Sequence, residues 1–119
     1  MNREEFEKYL LKTFNIKPEY PWVRYPSFAV FRHTDSKKWF AVIMSIDKSK
    51  LGLTGQGKID VVNLKRDVNM PLPFGVESGI FPAYHMNKEH WITVLLDSIV
   101  TQENLKFLLS ISYDLTLKK

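Results

Sequence analysis

The chain has 119 residues, a formal net charge of +4 and a sequence pI near 9.3. That length supports one domain over residues 1–119 with a real core, and 45% hydrophobic against 25% charged residues excludes wholesale disorder. The lack of cysteine removes disulfides and thiolate zinc sites, and neither a signal-peptide run nor the roughly 20 apolar residues of a membrane span is present, so a soluble cytoplasmic chain is expected.

Asn2 and Glu5 stand at the positions of a reciprocal capping box, and Phe6, Leu10 and Phe14 then recur every four residues with Tyr9 beside them. A helix is predicted from there, ending before Lys17, because Pro18 disfavours helix in the residue preceding it. Residues 18–27 hold three prolines with Tyr20, Trp22 and Tyr25, an extended loop. Its aromatics could form a ligand platform, but packing against the core is the better reading.

Residues 28–31 and 38–44 are strand-like and make a hairpin around the polar residues 33–37. Residues 47–57 are a loop, and a third strand follows at 58–65. From 66 to 79, Pro71, Pro73, Gly75 and Gly79 indicate an irregular crossing. Residues 81–86 and 91–96 are two further strands, and Asp97-Ser98 marks a turn. Thr101 caps a final helix whose buried face is Leu105, Leu108, Leu109, Ser112 and Leu115 or Thr116, with Lys118 and Lys119 at the negative end of its dipole. Helix, three strands, connector, two strands and helix make an α+β domain, an antiparallel sheet covered on one face.

The segment Pro82-Ala-Tyr-His-Met-Asn-Lys-Glu-His-Trp91 carries the most chemistry. With Asn87-Lys88 as a two-residue turn, His85 opposes His90 and Met86 opposes Glu89. The two imidazoles then share an outward face, and Tyr84 and Trp91 share the inward one. Two histidines do not complete a metal site, and His33 or Asp97 could add to them only through tertiary geometry, so no metal is expected.

No Gly-x-Ser-x-Gly, dinucleotide fingerprint or P-loop is present, and Gly52, Gly55 and Gly57 are better read as turn glycines. An enzyme would need a third polar group, such as Asp97 or Tyr113, in reach of either histidine. No catalysis and no cofactor are expected.

Lysines gather at Lys37-Lys38, Lys48 and Lys50, Lys58, Lys65-Arg66 and Lys88, largely in turns and strand ends. From there long basic side chains can reach phosphates, and Asn87 could meet a base edge. No basic stripe interleaved with aromatics, as single-strand binders carry, is visible along the chain.

The 82–91 segment, followed by Leu95-Leu96-Asp97 and Ser112-Tyr-Asp-Leu-Thr116, resembles the MmcQ/YjbR family, and Lys38-Trp-Phe-Ala41 and Val62-Asn-Leu-Lys65 agree in order and spacing. The resemblance implies a CyaY-like (frataxin-like) topology. It also implies double-stranded DNA binding, because family members are described as sharing a double-wing arrangement with the C-terminal domain of the phage transcription factor MotA. On this chain it points to His85, Asn87, Lys88, His90 and Trp91. One segment departs from the family: residues 68–79 are rich in proline and glycine where many members carry an acidic, leucine-bearing stretch. Iron binding, raised by the same topology, is not expected, since Glu4, Glu5 and Glu7 are offset by Arg3 and Lys8.

The expectation is therefore a monomeric double-stranded DNA-binding protein. Lys37, Lys38, Lys65, Arg66 and Lys88 would neutralise phosphates, and His85, Asn87 and His90 would add polar contacts. The alternative is a small-ligand or protein-interaction module at His85 and His90.

Overall fold

The computed structural model describes residues 1–117; Lys118 and Lys119, assigned above to the helix dipole, lie outside the described residues. The first helix, α1 (Arg3–Phe14), begins where its capping box places it. Asn2 Oδ1 accepts from the Glu5 amide at 2.8 Å, and Glu5 Oε1 accepts from the Asn2 amide at 2.9 Å. Asn15 closes the helix in the left-handed conformation, with φ 56°. Phe6 and Leu10 are fully buried, and Phe14 stacks on Tyr113 of the last helix at 4.1 Å.

The strands are β1 (Ala29–Arg32), β2 (Trp39–Asp47), β3 (Lys58–Lys65), β4 (Ile80–Pro82) and β5 (Trp91–Leu95), and α2 (Gln102–Leu117) completes the chain. A short 3₁₀ turn, Lys48–Leu51, sits in the β2–β3 loop. Thr101 caps α2 through its hydroxyl, which accepts from the Asn104 amide at 3.1 Å. The helix buries Leu105, Leu108, Leu109, Ser112 and Thr116, leaving Leu115 exposed.

The strands form one antiparallel sheet in the order β1-β2-β3-β5-β4. Both helices pack on one face, against Phe31, Ile43, Val62, Leu64, Ile92 and Val94 among others. The other face is also apolar, with Val30, Val42, Met44, Ile46, Val61, Phe81 and Leu95, and it is covered by loop residues that include Trp22, Phe28, Leu53 and Tyr84. Burial from both sides explains why residues 39–44 read as a continuous apolar run instead of an alternating one.

One irregularity sets the site geometry. Phe31 pairs with Ala41 while Arg32 pairs with Trp39, so Phe40 is an extra residue in β2, a β-bulge. The bulge changes which side successive residues face. Phe40 and Ala41 both join the helix-side core, and Trp39 joins the opposite cluster.

The β2–β3 ladder ends at Ala41 and Leu64, and the next pair, Phe40 and Lys65, is bridged by a side chain. Ser112 Oγ of α2 accepts from the Lys65 amide at 2.8 Å and donates to the Phe40 carbonyl at 2.5 Å. A fully buried serine thus stands in for the missing strand-to-strand bond.

The expected hairpin at 81–90 is corrected. The β4–β5 register pairs Phe81 with Thr93 and Pro82 with Ile92, and the strand stops at Pro82 rather than Met86. Residues 83–90 form a loop. Asn87 is not a turn corner there: its Oδ1 accepts from the amides of Glu89 and His90 at 2.8 and 3.1 Å, and its carbonyl accepts from the Trp91 amide at 3.0 Å. This is the capping geometry of a single helical turn, which asparagine favours through its short carbonyl side chain. His85 therefore does not stand opposite His90 on a ladder.

Candidate functional site

The strand registers bring several distant segments to one end of the sheet. The β1–β2 turn, the end of β3, the end of β4 and the start of β5 all lie there. That end holds Lys37, Lys38, Lys65, Arg66 and the 83–90 loop with His85, Asn87, Lys88 and His90. Lys48, Lys50 and Lys58 lie at the opposite end, beside the Asp47–Lys58 pair.

The side chains differ in how committed they are. Lys37 is exposed, in a left-handed turn conformation with φ 64°. Lys65 is half-buried at the end of β3. Arg66 is turned into the connector: a terminal nitrogen donates to the Met70 carbonyl at 2.8 Å, and the guanidinium lies 5.4 Å from the Phe74 ring centre. Lys88 Nζ donates to the Ala83 carbonyl at 2.8 Å, tying its ammonium to the loop that carries it. His90 is exposed, with Nε2 3.9 Å from Glu89 Oε1.

The loop is anchored from below by a polar pair in the sheet. Asn63 and Thr93 are cross-strand partners on β3 and β5, both fully buried. Thr93 Oγ1 donates to Asn63 Oδ1 at 2.5 Å and accepts from the Tyr84 amide at 2.8 Å. Asn63 Nδ2 donates to the Tyr84 carbonyl at 2.9 Å. Both backbone groups of Tyr84 are thus satisfied by side chains, which fixes where the next residue, His85, begins. His85 has φ 62°, and its ring lies 4.1 Å from that of Tyr84.

His85 does not face His90; it borders a cavity of about 300 Å³ on the loop-covered side of the sheet. The 18–28 segment supplies Trp22, Tyr25 and Phe28 as walls, and β2 supplies Trp39 with Val42 and Met44. Met86 joins His85 at the rim. Trp22 stands nearly perpendicular to both Trp39 and Phe28, at 88° and 83°, with centroids 5.5 and 6.0 Å away. Tyr25 stacks on Phe28 at 4.9 Å. Core packing therefore accounts for only part of this aromatic loop, since Trp22 and Tyr25 also line an open cavity.

Sequence reasoning missed this cavity because its walls come from segments that are remote in the chain. Trp39 reaches it only through the bulge at Phe40. The signal that was available is the density of aromatics at 20–28 and 39–40.

His33 is separate from this site. It is buried, with Nε2 2.8 Å from Thr116 Oγ1, and its ring packs against Tyr113 and Phe40 at 4.4 and 5.0 Å. The Thr116 hydroxyl donates to the Ser112 carbonyl at 2.8 Å, so it accepts from His33. Burial lowers the His33 pKa from its ordinary 6.5, with Lys38 adding to the drop and the Tyr113 carbonyl and Asp35 opposing it. Below 6.5 the unfolded chain takes up this proton more readily than the folded one. The stability that neutral His33 contributes is complete above 6.5 and is lost as pH falls below it. Urea unfolding at pH 7.5 and 5.5 should show the parent losing stability on acidification and His33→Gln losing less; equal losses would exclude His33 as the group responsible.

Tyr113 packs on His33 rather than on either loop histidine, and Asp97 follows β5 at the other end of the sheet. Among the described residues no three His, Asp or Glu side chains gather in a geometry that could hold a metal ion. No described helix is long and apolar enough to cross a membrane.

A family model described as YjbR matches residues 11–115. The uncharacterised protein YyaQ of Bacillus subtilis (strain 168) is 38% identical over 116 residues, covering 98% of each chain. A Pseudomonas syringae protein solved by crystallography is 41% identical and superposes with a TM-score of 0.88, covering 98% of this chain and 99% of that one. A Deinococcus radiodurans protein at 22% identity shares the fold, with a TM-score of 0.66 over 99% of this chain and 80% of that one.

Proposed function

The chain belongs to the YjbR family, and from that footing we propose that it is a cytoplasmic, monomeric protein that binds double-stranded DNA through the basic end of its sheet. The observation that carries this reading is the convergence of Lys37, Lys38, Lys65 and Lys88 from three separate connections onto that end. Ammonium groups spaced along one edge neutralise successive phosphates and release their counterions. Arg66 contributes by holding the connector in place, since its guanidinium is engaged with Met70 and Phe74. Asn87 Oδ1 serves the loop backbone, so this side chain meets DNA only through its amide nitrogen.

Four phosphate contacts imply a slope of log affinity against log salt of about −3.6, or roughly a 100-fold loss between 50 and 200 mM salt. A titration of labelled duplex should return that slope, and Lys37→Ala should flatten it by about 1. No binding at low salt would sink the reading. A second reading, a small-ligand module with no catalysis, is supported by the cavity beside His85.

A further inference from the structure

The cavity and the basic end of the sheet adjoin, and each has a chemistry that the other completes. The walls are flat aromatic rings, and the acid beside them, Glu19, is neutralised by Arg32, the cross-strand partner of Trp39. Within two chain positions of the residues that line the cavity stand Arg24, Lys37, Lys38 and Lys88, and no Asp or Glu. The nearest acid in the His85 loop, Glu89, lies 3.9 Å from the His90 imidazole.

A basic rim disfavours the quaternary ammonium groups that aromatic cages otherwise attract. It favours a ligand with a flat π-face and an attached anion. Perpendicular rings at 5.5 and 6.0 Å form a corner rather than a closed stack, which leaves room for a planar group. At about 300 Å³ the space is at the lower end of the range for small-molecule sites.

We propose that this cavity receives one unstacked nucleobase, held among Trp22, Trp39, Tyr25 and His85, with its phosphate met by Arg24 and Lys88. The proposal deepens the nucleic-acid reading and rests on it: the duplex-binding end would deliver an unpaired nucleotide to an adjoining stacking site. Base stacking on aromatic side chains tolerates any sequence, so the site selects for strand state rather than base identity. The bulge at Phe40 is the feature that makes it, because without it Trp39 would face the helices. The Asn63–Thr93–Tyr84 network sets the position of the His85 wall.

Two of the three tryptophans line the cavity, so occupancy is readable by intrinsic fluorescence. The full chain would be titrated with an oligothymidylate strand, a fully paired duplex and thymidine monophosphate. The strand should bind more tightly than the duplex and quench the fluorescence. Trp22→Leu should weaken strand binding roughly 5- to 100-fold and leave duplex binding unchanged. His85→Asn, at an exposed left-handed position that asparagine tolerates, should weaken the strand several-fold and keeps the test independent of how well Trp22→Leu folds.

Monophosphate binding as tight as the strand would support the cavity's chemistry and assign its source to free nucleotide; much weaker monophosphate binding would support a strand. Duplex binding without quenching by either single-stranded probe would overturn this inference alone. Quenching without duplex binding would overturn the duplex reading alone. Strand affinity unchanged in both folded variants would overturn the cavity assignment.

Discussion

Ser112→Ala should destabilise the fold by about 2–4 kcal/mol, since it strips partners from two backbone groups at once. The Lys65 amide and the Phe40 carbonyl both end on Ser112 Oγ, and a buried group left unsatisfied costs about 1–3 kcal/mol. The hydroxyl is fully buried, so water reaches the vacated groups only by opening the α2–sheet contact. For a domain of this size the midpoint should fall by roughly 8–16 °C in a thermal scan. The damage should be local as well as global. Phe40 is the bulged residue that turns Trp39 toward the cavity and Lys65 lies across from it, so amide exchange should quicken first at Lys65. A change under about 0.5 kcal/mol would show that the serine is not the bridge described.

Asn63→Leu is expected to cost about 1–3 kcal/mol, because the Tyr84 carbonyl loses its donor and the Thr93 hydroxyl its acceptor. Thr93→Val should act on the same network by freeing the Tyr84 amide, whose exchange should quicken about tenfold for each 1.4 kcal/mol lost. The double variant should cost less than the sum of the two singles, with a coupling of about 0.5–3 kcal/mol, since each single change already breaks the shared network. Additive losses would mean that the two residues act independently and that the loop is held elsewhere. Because His85 follows Tyr84, both variants should also weaken ligand binding at the cavity while leaving Lys37 and Lys38 untouched.

These two networks were only half legible beforehand. Ser112 is visible as a member of the apolar face of α2, and Asn63 as part of a family motif, but neither role follows from neighbours in the chain. Ser112 joins residues 40 and 65, and Asn63 reaches residues 84 and 93. Polar residues at core positions are easily noted in a sequence; their partners are contributed by other elements.

The 82–91 segment shows the same division within one loop. Its polar, turn-forming character and its family signature are readable directly. Its pairing is not, because two local solutions compete. A two-residue turn at Asn87-Lys88 would oppose the histidines, one residue out of register with the Pro82–Ile92 pair. Asn87 instead caps a helical turn with its side chain. Two constraints outside the loop favour that solution: the register pairing Pro82 with Ile92, and the Asn63–Thr93 grip on Tyr84.

What the sequence determined by itself is whatever depends on contacts a few residues apart. It specified the α1 capping box at Asn2 and Glu5, the Thr101 cap, the buried stripe of α2, the third strand at 58–65 and the α+β order. Tertiary structure alone decided that Trp39 leaves the core side, that His85 borders an aromatic cavity instead of pairing with His90, and that Lys37, Lys65 and Lys88 share one end of the sheet. The reason is physical. Caps and periodicities are settled by hydrogen bonds and burial within a turn or two, whereas register, bulges and polar anchors are settled only when distant strands compete for the same backbone groups.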